Sequence, residues 1–456
     1  MIAQLLNREF LKKSIDQLKK TAAEEAVLQN QGDVEALNRA AELEIDAADL
    51  KEAEELLRIS AEHEAQRLTQ PEDEIAFLPR DAVASLVQSA LLEYYETRCT
   101  GRIEVSATKR AIAEPIYVTD RQLKGLTMQG EDRRGLFGAF EQTDARWAAC
   151  LVARGIRWFR GKRRFNPTPA PPLVISNQAR IVMVGDWGSG LPRARNVGAA
   201  MREVLQEADA AGREQHVIHL GDVYYSGWKR EYEKHFLPYW PVKEGEEDRI
   251  SSWSLNANHD MYSGGQGYYD CLLKDPRFAR QSQSSFFSLE NDYWHILGLD
   301  TGYEEHDLKG DQAEWVKQQA ETARGKDLML MSHHQLFSAY ENDGEKLADK
   351  LRSVLDAGRV RGWFWGHEHR CACYYPQHKI EYPRLIGHGG VPVWASSAPV
   401  PDGVQYEYKG KFDTGLETWA IFGFAVLDFD DWRINVRYIN ENGVEHHRET
   451  LRTSVV

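Results

Sequence analysis

Five short clusters in this chain of 456 residues carry side chains that bind metals or move protons. They are Gly185-Asp186-Trp187-Gly188, Gly221-Asp222-Val223-Tyr224-Tyr225, Asn258-His259-Asp260, Ser332-His333-His334 and Gly366-His367-Glu368-His369. One cluster alone says little, because Gly-Asp after a strand is a common turn and a lone histidine is commonly just a hydrogen-bonding residue. Taken in order they offer two aspartates, a tyrosine, an asparagine and several histidines. Carboxylate and phenolate oxygens with imidazole nitrogens suit iron, zinc or manganese, and this is more than one open catalytic metal takes. A two-metal site is implied, with a bridging carboxylate and ions roughly 3.5–4 Å apart, an arrangement that clamps phosphorus for in-line displacement.

The elements that must position these residues are short β-type runs alternating with helical stretches, the pattern of an α/β fold. Strands are expected at 180–184, 216–220, 253–255, 285–289, 293–298, 328–331 and 362–365, with antiparallel ribbons over 420–429, 432–439 and 444–451. Most of these strands run straight into a polar or histidine-bearing loop. Open α/β folds hold their sites at the carboxyl ends of strands, so the clusters stand where a site belongs.

The five clusters in this order resemble the calcineurin-like metallophosphoesterase superfamily, and within it the purple acid phosphatases. The family pattern is Gly-Asp-x-Gly, Gly-Asp-x-x-Tyr, Gly-Asn-His-Asp/Glu, an apolar-x-x-His and Gly-His-x-His, and Ala257 stands where the third motif has glycine. The first two motifs carry the closer resemblance, since the wider superfamily usually has Asp-x-His for Asp186-Trp187-Gly188 and lacks the tyrosine. The resemblance covers about residues 178–452. It implies a four-layer α-β-β-α sandwich preceded by an all-α N-terminal domain. It implies Asp186, Tyr225 and His369 on a first metal, a bridging Asp222, and Asn258, His333 and His367 on a second. His259 is then the histidine that protonates the leaving group, with Asp260 orienting its ring. Fe(III) at the first position and divalent iron, zinc or manganese at the second follow, with ferric-phenolate colour. His334, Arg370 and His388 are the candidates for touching substrate. Cys371-Ala372-Cys373 lacks a second cysteine pair and reads as structural.

The implied activity is hydrolysis of a small phosphorylated substrate, a phosphomonoester on the purple acid phosphatase resemblance, by a dinuclear centre and a metal-activated water. A phosphodiesterase of nucleotides or cyclic nucleotides is the first alternative, since the same donors serve both. A catalytically silent scaffold or regulatory module is the second, and the presence of every expected ligand weighs against it.

The rest of the chain divides into a helical N-terminal domain at 1–165, a proline-rich linker at 166–177 and the catalytic domain at 178–456. Apolar periodicity predicts two long helices in the first 75 residues and further helices at 80–97 and 143–159. The first 75 residues hold 9 basic and 18 acidic side chains, a solvated helical hairpin or a surface for a partner or for self-association. The basic stretch 154–164 is a capped helix end or a contact for phosphate, nucleic acid or a membrane surface. A composition of 42% hydrophobic and 28% charged residues excludes collagen-like and disordered classes, and a net charge of −14 disfavours broad nucleic-acid binding. No apolar run reaches the ~20 residues of a membrane span. The N-terminal residues lack a signal-peptide pattern, and five cysteines are too few and odd for a disulfide framework, so the expected location is the cytoplasm.

Overall fold

The computed structural model describes residues 162–323, 325–393, 395–413 and 418–454. The expected N-terminal helices and most of the basic 154–164 stretch lie outside the described residues. No described helix is long and apolar enough to cross a membrane.

The strands in chain order are β1 (Leu173–Val174), β2 (Arg180–Val184), β3 (Gln215–His219), β4 (Ile250–Ser254), β5 (Phe287–Glu290), β6 (Trp294–Gly298), β7 (Asp327–Ser332) and β8 (Val360–Trp365). They continue with β9 (Cys371–Tyr374), β10 (Tyr382–Ile386), β11 (Val404–Glu407), β12 (Lys411–Asp413), β13 (Thr418–Ala420), β14 (Gly423–Asp430), β15 (Arg433–Asn440) and β16 (Glu445–Arg452). One mixed sheet has eight strands in the order β1-β5-β6-β7-β8-β10-β9-β11, and a second has six in the order β16-β15-β14-β2-β3-β4. The expected runs thus appear as strands, shifted by a few residues at most, and the closing segment is an antiparallel meander from β14 to β16.

Two-residue periodicity sorts the side chains of each strand between two cores. In the eight-stranded sheet Ile296, Met329, Met331 and Phe364 turn toward Ile181, Met183, Ile218 and Leu427 of the six-stranded one. Their neighbours Leu297, Leu328, Leu330, Trp363 and Trp365 turn the other way, toward α2 (Gln312–Thr322) and α3 (Glu345–Asp356). Leu347, Leu351, Val354 and Leu355 give α3 its buried stripe at helical spacing. On the opposite side α1 (Pro192–Ala210) packs against β2, β3 and β14, and the Arg180 guanidinium donates to the carbonyl of Val204 on that helix, 2.6 Å away. The order of layers is helix, sheet, sheet, helix, the sandwich that the resemblance implies.

The proline-rich stretch is not a free tether. Its Leu173–Val174 pairs in parallel with β5, Ala170 is buried and donates its N–H to the Phe286 carbonyl at 3.0 Å, and Phe165 lies edge-on to Tyr303 with ring centroids 5.1 Å apart. Proline has no N–H to give to a ladder, and beside the edge strand β1 that loss costs no pairing.

Candidate metal centre

The loops leaving the carboxyl ends of β2, β3, β7 and β8 meet at one place, together with the five-residue helix Asn258–Tyr262 that follows β4. Four of the residues brought there hold left-handed backbone: Asp186 at φ 58°, Asp222 at 76°, His367 at 74° and His369 at 47°. For residues with a Cβ such conformations cost about 1–3 kcal/mol each and persist only where the surroundings over-determine them. The adjoining glycines allow the loops to close. A Cβ on Gly366 would stand 2.6 Å from Asp186 Oδ2, and one on Gly221, at φ +108°, would stand 2.6 Å from the Cβ of Ala257. Ala257 itself is not among the residues with positive φ, which is why alanine fits where the related pattern has glycine.

Asp222 stands at the centre, almost fully buried. Its Oδ2 is 2.9 Å from the hydroxyl of Tyr224 and 3.3 Å from His333 Nε2. On one side the Tyr224 hydroxyl is also 2.9 Å from Asp186 Oδ1 and 3.0 Å from His369 Nε2. On the other, His333 Nε2 lies 3.0 Å from Asn258 Oδ1 and 3.3 Å from His367 Nδ1. The outer atoms are fixed by the backbone: the His367 N–H donates to Asp186 Oδ2 at 2.8 Å, and the His259 N–H to Asp222 Oδ1 at 3.1 Å. Nδ1 of His333 faces the Leu220 carbonyl at 3.1 Å. A proton on that nitrogen makes Nε2 the lone-pair nitrogen, the usual arrangement of a metal-ligating histidine.

Of the residues expected at the first metal, Asp186, Asp222 and His369 converge, but the phenol that joins them belongs to Tyr224. Tyr225 is held by its backbone: its N–H donates to Glu231 Oε1 at 2.6 Å, and its carbonyl faces His259 Nδ1 at 2.5 Å. Glu231 also takes the N–H groups of Ser226 at 3.0 Å and Trp228 at 2.9 Å, so one carboxylate fixes the path of the whole loop. The peptide between Tyr224 and Tyr225 is cis.

Asp260 does not orient His259. The contact on His259 Nδ1 is the Tyr225 carbonyl. Asp260 instead accepts from the N–H groups of Asp222 at 3.2 Å, Val223 at 3.0 Å and Ala257 at 3.0 Å, and from the Tyr232 hydroxyl at 2.6 Å. It ties the second cluster to the third. Besides Asp186 and Asp222, a carboxylate from outside the five clusters faces a histidine of the centre: Glu341 Oε2 is 3.4 Å from His367 Nε2.

His334 is buried beside the centre, with Nδ1 3.0 Å from Thr301 Oγ1 and Nε2 without a hydrogen-bond partner among the described residues. Its ring packs at 4.0 Å on His306, which no motif marks. Arg370 points to Glu407, 3.0 Å away, and lies over the Tyr340 ring at 4.5 Å. His388 is not brought to the carboxylates. Its ring neighbours are Tyr408 and His446, each with centroids 6.2 Å away, and Gly389 and Gly390 beyond it pack on the backbone of Gly185 and Trp187. Glu368, between the two histidines of the last cluster, turns away and accepts from the Trp365 indole at 2.9 Å and the Ser338 hydroxyl at 2.6 Å.

The electrostatics of the centre favour a cation. Burial opposes charge on His333, but the Asp222 carboxylate overcomes it and raises the imidazole to about 9. Burial likewise opposes charge on His369, and Asp186 raises it nonetheless. Burial, Asp186 and Asp222 together push the Tyr224 phenol well above its ordinary range, so without a cation it keeps its proton. Asp222 lies well below the carboxylate range: burial works against its charge, and His333 and His259 more than offset this. His333 Nε2 and His367 Nδ1, 3.3 Å apart beside buried carboxylates, are a donor set that metal ions fit once they displace the protons.

Residues 179–371 match the family model described as calcineurin-like phosphoesterase. The chain carries a calcineurin-like phosphoesterase domain there, of a class that hydrolyses phosphoric esters with metal. No curated protein matches the chain. Among solved structures it is similar to GAP50, the anchor in the inner membrane complex of Plasmodium, at 12% identity over 61% of this chain and 89% of that one, TM-score 0.46. It is also similar to a putative 5'-nucleotidase from Staphylococcus aureus, at 11% identity over 60% of this chain and 54% of that one, TM-score 0.31. A third is a predicted phosphoesterase from Streptococcus pneumoniae, at 11% identity over 60% of this chain and 98% of that one, TM-score 0.28.

Proposed function

We propose that the protein is a phosphomonoesterase of the purple acid phosphatase type, with a dinuclear centre. The observation that carries this reading is Asp222 Oδ2, which stands within 3.3 Å of both Tyr224 and His333 and so faces two donor sets at once. Asp186, Asp222, Tyr224 and His369 form the set for a first ion, and Asn258, His333 and His367, sharing Asp222, the set for a second. Phenolate and carboxylate donors make the first set hard and strongly donating, which suits Fe(III). A neutral amide and two imidazoles suit a divalent ion such as iron, zinc or manganese. When bound, such ions supply Lewis-acid activation of water and neutralise charge on the phosphoryl oxygens.

The chain's own groups supply the remaining work. His259 is fixed by the Tyr225 carbonyl on Nδ1 and packs on the Tyr224 ring at 4.6 Å, so Nε2 is the atom that hands a proton to the departing ester oxygen. Such general acid catalysis contributes about 10²–10⁴-fold. Glu341 holds His367, and the backbone N–H groups of His259 and His367 hold the bridging and terminal carboxylates. His334 and His306 bring ring nitrogens within 4.8 Å of each other and of His367, and are the groups offered to an incoming phosphate.

The test is the metal content and visible spectrum of purified full-length protein, with turnover of an aryl phosphate monoester and the matching diester. About two metals per chain including iron, a broad visible band and preference for the monoester are expected. Preference for the diester overturns the substrate class alone. Loaded but colourless protein overturns the ferric-phenolate assignment, and protein that stays empty and inactive with iron, zinc or manganese overturns the reading as a whole.

A further inference from the structure

A second group of metal-binding side chains lies between the two sheets, made by residues that the phosphoesterase chemistry does not use. Cys371 on β9, His388 just after β10 and His446 on β16 bring ligand atoms within 4.8 Å of one another. Cys371 is a free thiol, 1% exposed. His388 is 4% exposed, and neither of its ring nitrogens has a hydrogen-bond partner among the described residues. A buried imidazole with both nitrogens unpaired is costly, since each such group forfeits about 1–3 kcal/mol of hydrogen bonding.

The local structure aims His446 into this group. In the β15–β16 pair Tyr438 faces His447 and Ile439 faces Glu445, which leaves His446 as the extra residue of a bulge. Bulges re-aim a side chain that strict alternation would send to the other face. The Tyr406 hydroxyl meets His446 Nδ1 at 2.8 Å, while Nε2 is buried without a partner. Tyr408 stacks on the ring at 3.6 Å, and its own N–H donates to the Cys371 carbonyl at 2.9 Å. A hydrogen bond on one nitrogen with the other left open toward a thiol and a second histidine is the arrangement of a ligating imidazole.

The adjacent trio of Cys373, His447 and Glu449 shows what a satisfied cluster looks like. Glu449 is engaged by Arg384 at 2.5 Å and by Tyr438 at 2.6 Å, and Cys373 faces the Tyr438 hydroxyl at 3.4 Å. Among the described residues nothing comparable pairs His388.

We propose that Cys371, His388 and His446 form a metal site separate from the phosphoesterase centre, which takes one borderline divalent ion of the zinc class. Thiolate and imidazole are both donors that Zn²⁺ takes, and three of them leave the fourth tetrahedral position to water. Binding releases the thiol proton to solvent, and His446, only half-buried, marks the way in. The bound ion clasps β9 of one sheet to β16 of the other. This inference stands independently of the identity of the phosphoesterase metals.

The experiment is a Co²⁺ titration of the metal-free full-length protein, read in the near-ultraviolet. Only a site with a cysteine gives thiolate-to-cobalt charge transfer, whereas the phosphoesterase ligands give weaker visible bands alone. The expected result is a charge-transfer band saturating at one thiolate per chain, lost in Cys371→Ser and in His446→Ala while the visible bands persist. Tyr406→Phe, which keeps the ring and removes the hydrogen bond, is expected to weaken cobalt binding at this site about 10–100-fold. Absence of the near-ultraviolet band at saturating cobalt, or its survival in both ligand variants, overturns the proposal. Two variants at different strands keep the test decisive where one of them fails to fold.

Discussion

The hydroxyl of Tyr224 stands 2.9 Å from Oδ2 of Asp222, two residues before it in the chain. The related pattern places the tyrosine three residues after the aspartate, which selects Tyr225. Adjacent tyrosines make spacing a weak guide, and the loop path decides between them. With Glu231 gripping the N–H groups of Tyr225, Ser226 and Trp228, it is the Tyr224 phenol that reaches Asp186 and His369. Tyr224→Phe is therefore expected to remove the visible band of the iron-loaded protein, and Tyr225→Phe to leave it in place. The absorption spectrum of the two variants decides, and the reverse result restores the spacing rule.

His259→Ala is expected to leave metal content unchanged and to lower kcat by about 10²–10⁴-fold on an alkyl phosphate ester. The loss should shrink on an aryl ester whose leaving group departs without a proton. KM should change little, because the imidazole contributes to the departing oxygen in the transition state and not to ground-state binding. Equal losses on both esters in steady-state assays point to a positioning role instead.

The strands were legible because both faces of the parallel strands are buried, so runs such as residues 181–184 and 328–331 read as continuous apolar segments. β9 was not, because Cys371-Ala372-Cys373-Tyr374 follows His369 without a turn signal and looks like part of the motif. The pairing of Leu173–Val174 with β5 was hidden by the surrounding prolines. Within the centre, residue types marked the aspartates and histidines, since few other roles need them at successive strand ends. Partners supplied by backbone were invisible. The Tyr225 carbonyl on His259 and the N–H groups on Asp260 depend on where two loops cross, which no side-chain pattern records. His306 sits in a loop with no motif and meets His334 only through the tertiary fold.

Asp260 supplies a structural prediction that separates two roles. It accepts three backbone N–H groups and the Tyr232 hydroxyl from the loops that carry Asp222 and Asn258. Asp260→Ala strands buried donors at about 1–3 kcal/mol each, so a destabilisation of roughly 3 kcal/mol or more is expected, with lowered metal occupancy. Equilibrium denaturation and metal analysis check this together. A residue that merely oriented His259 would lower kcat and leave stability and metal content alone.

The last prediction lies far from the centre, where Glu246 joins the helix Pro192–Ala210 to the turn before β4. Arg202 meets its two oxygens at 2.5 and 2.6 Å, the Lys243 N–H adds a bond at 2.9 Å and Arg249 another at 3.0 Å. The hydrogen bonds from Arg202, against the opposing effect of burial, hold the carboxyl down at about 2. An unfolded chain titrates a glutamate near ~4.3, so the folded state binds the proton more weakly. The stabilisation is thus fully present above that value and is lost as the pH falls through the folded value of about 2. Glu246→Gln is expected to cost about 2 kcal/mol at neutral pH, the size of a charge-assisted bond. The gap between variant and parent in urea midpoints should stay constant from neutral pH down to the range where free glutamate titrates, then narrow as the parent protonates. A gap that persists unchanged in acid would mean that the glutamine loses packing and not the ionic contacts with Arg202 and Arg249.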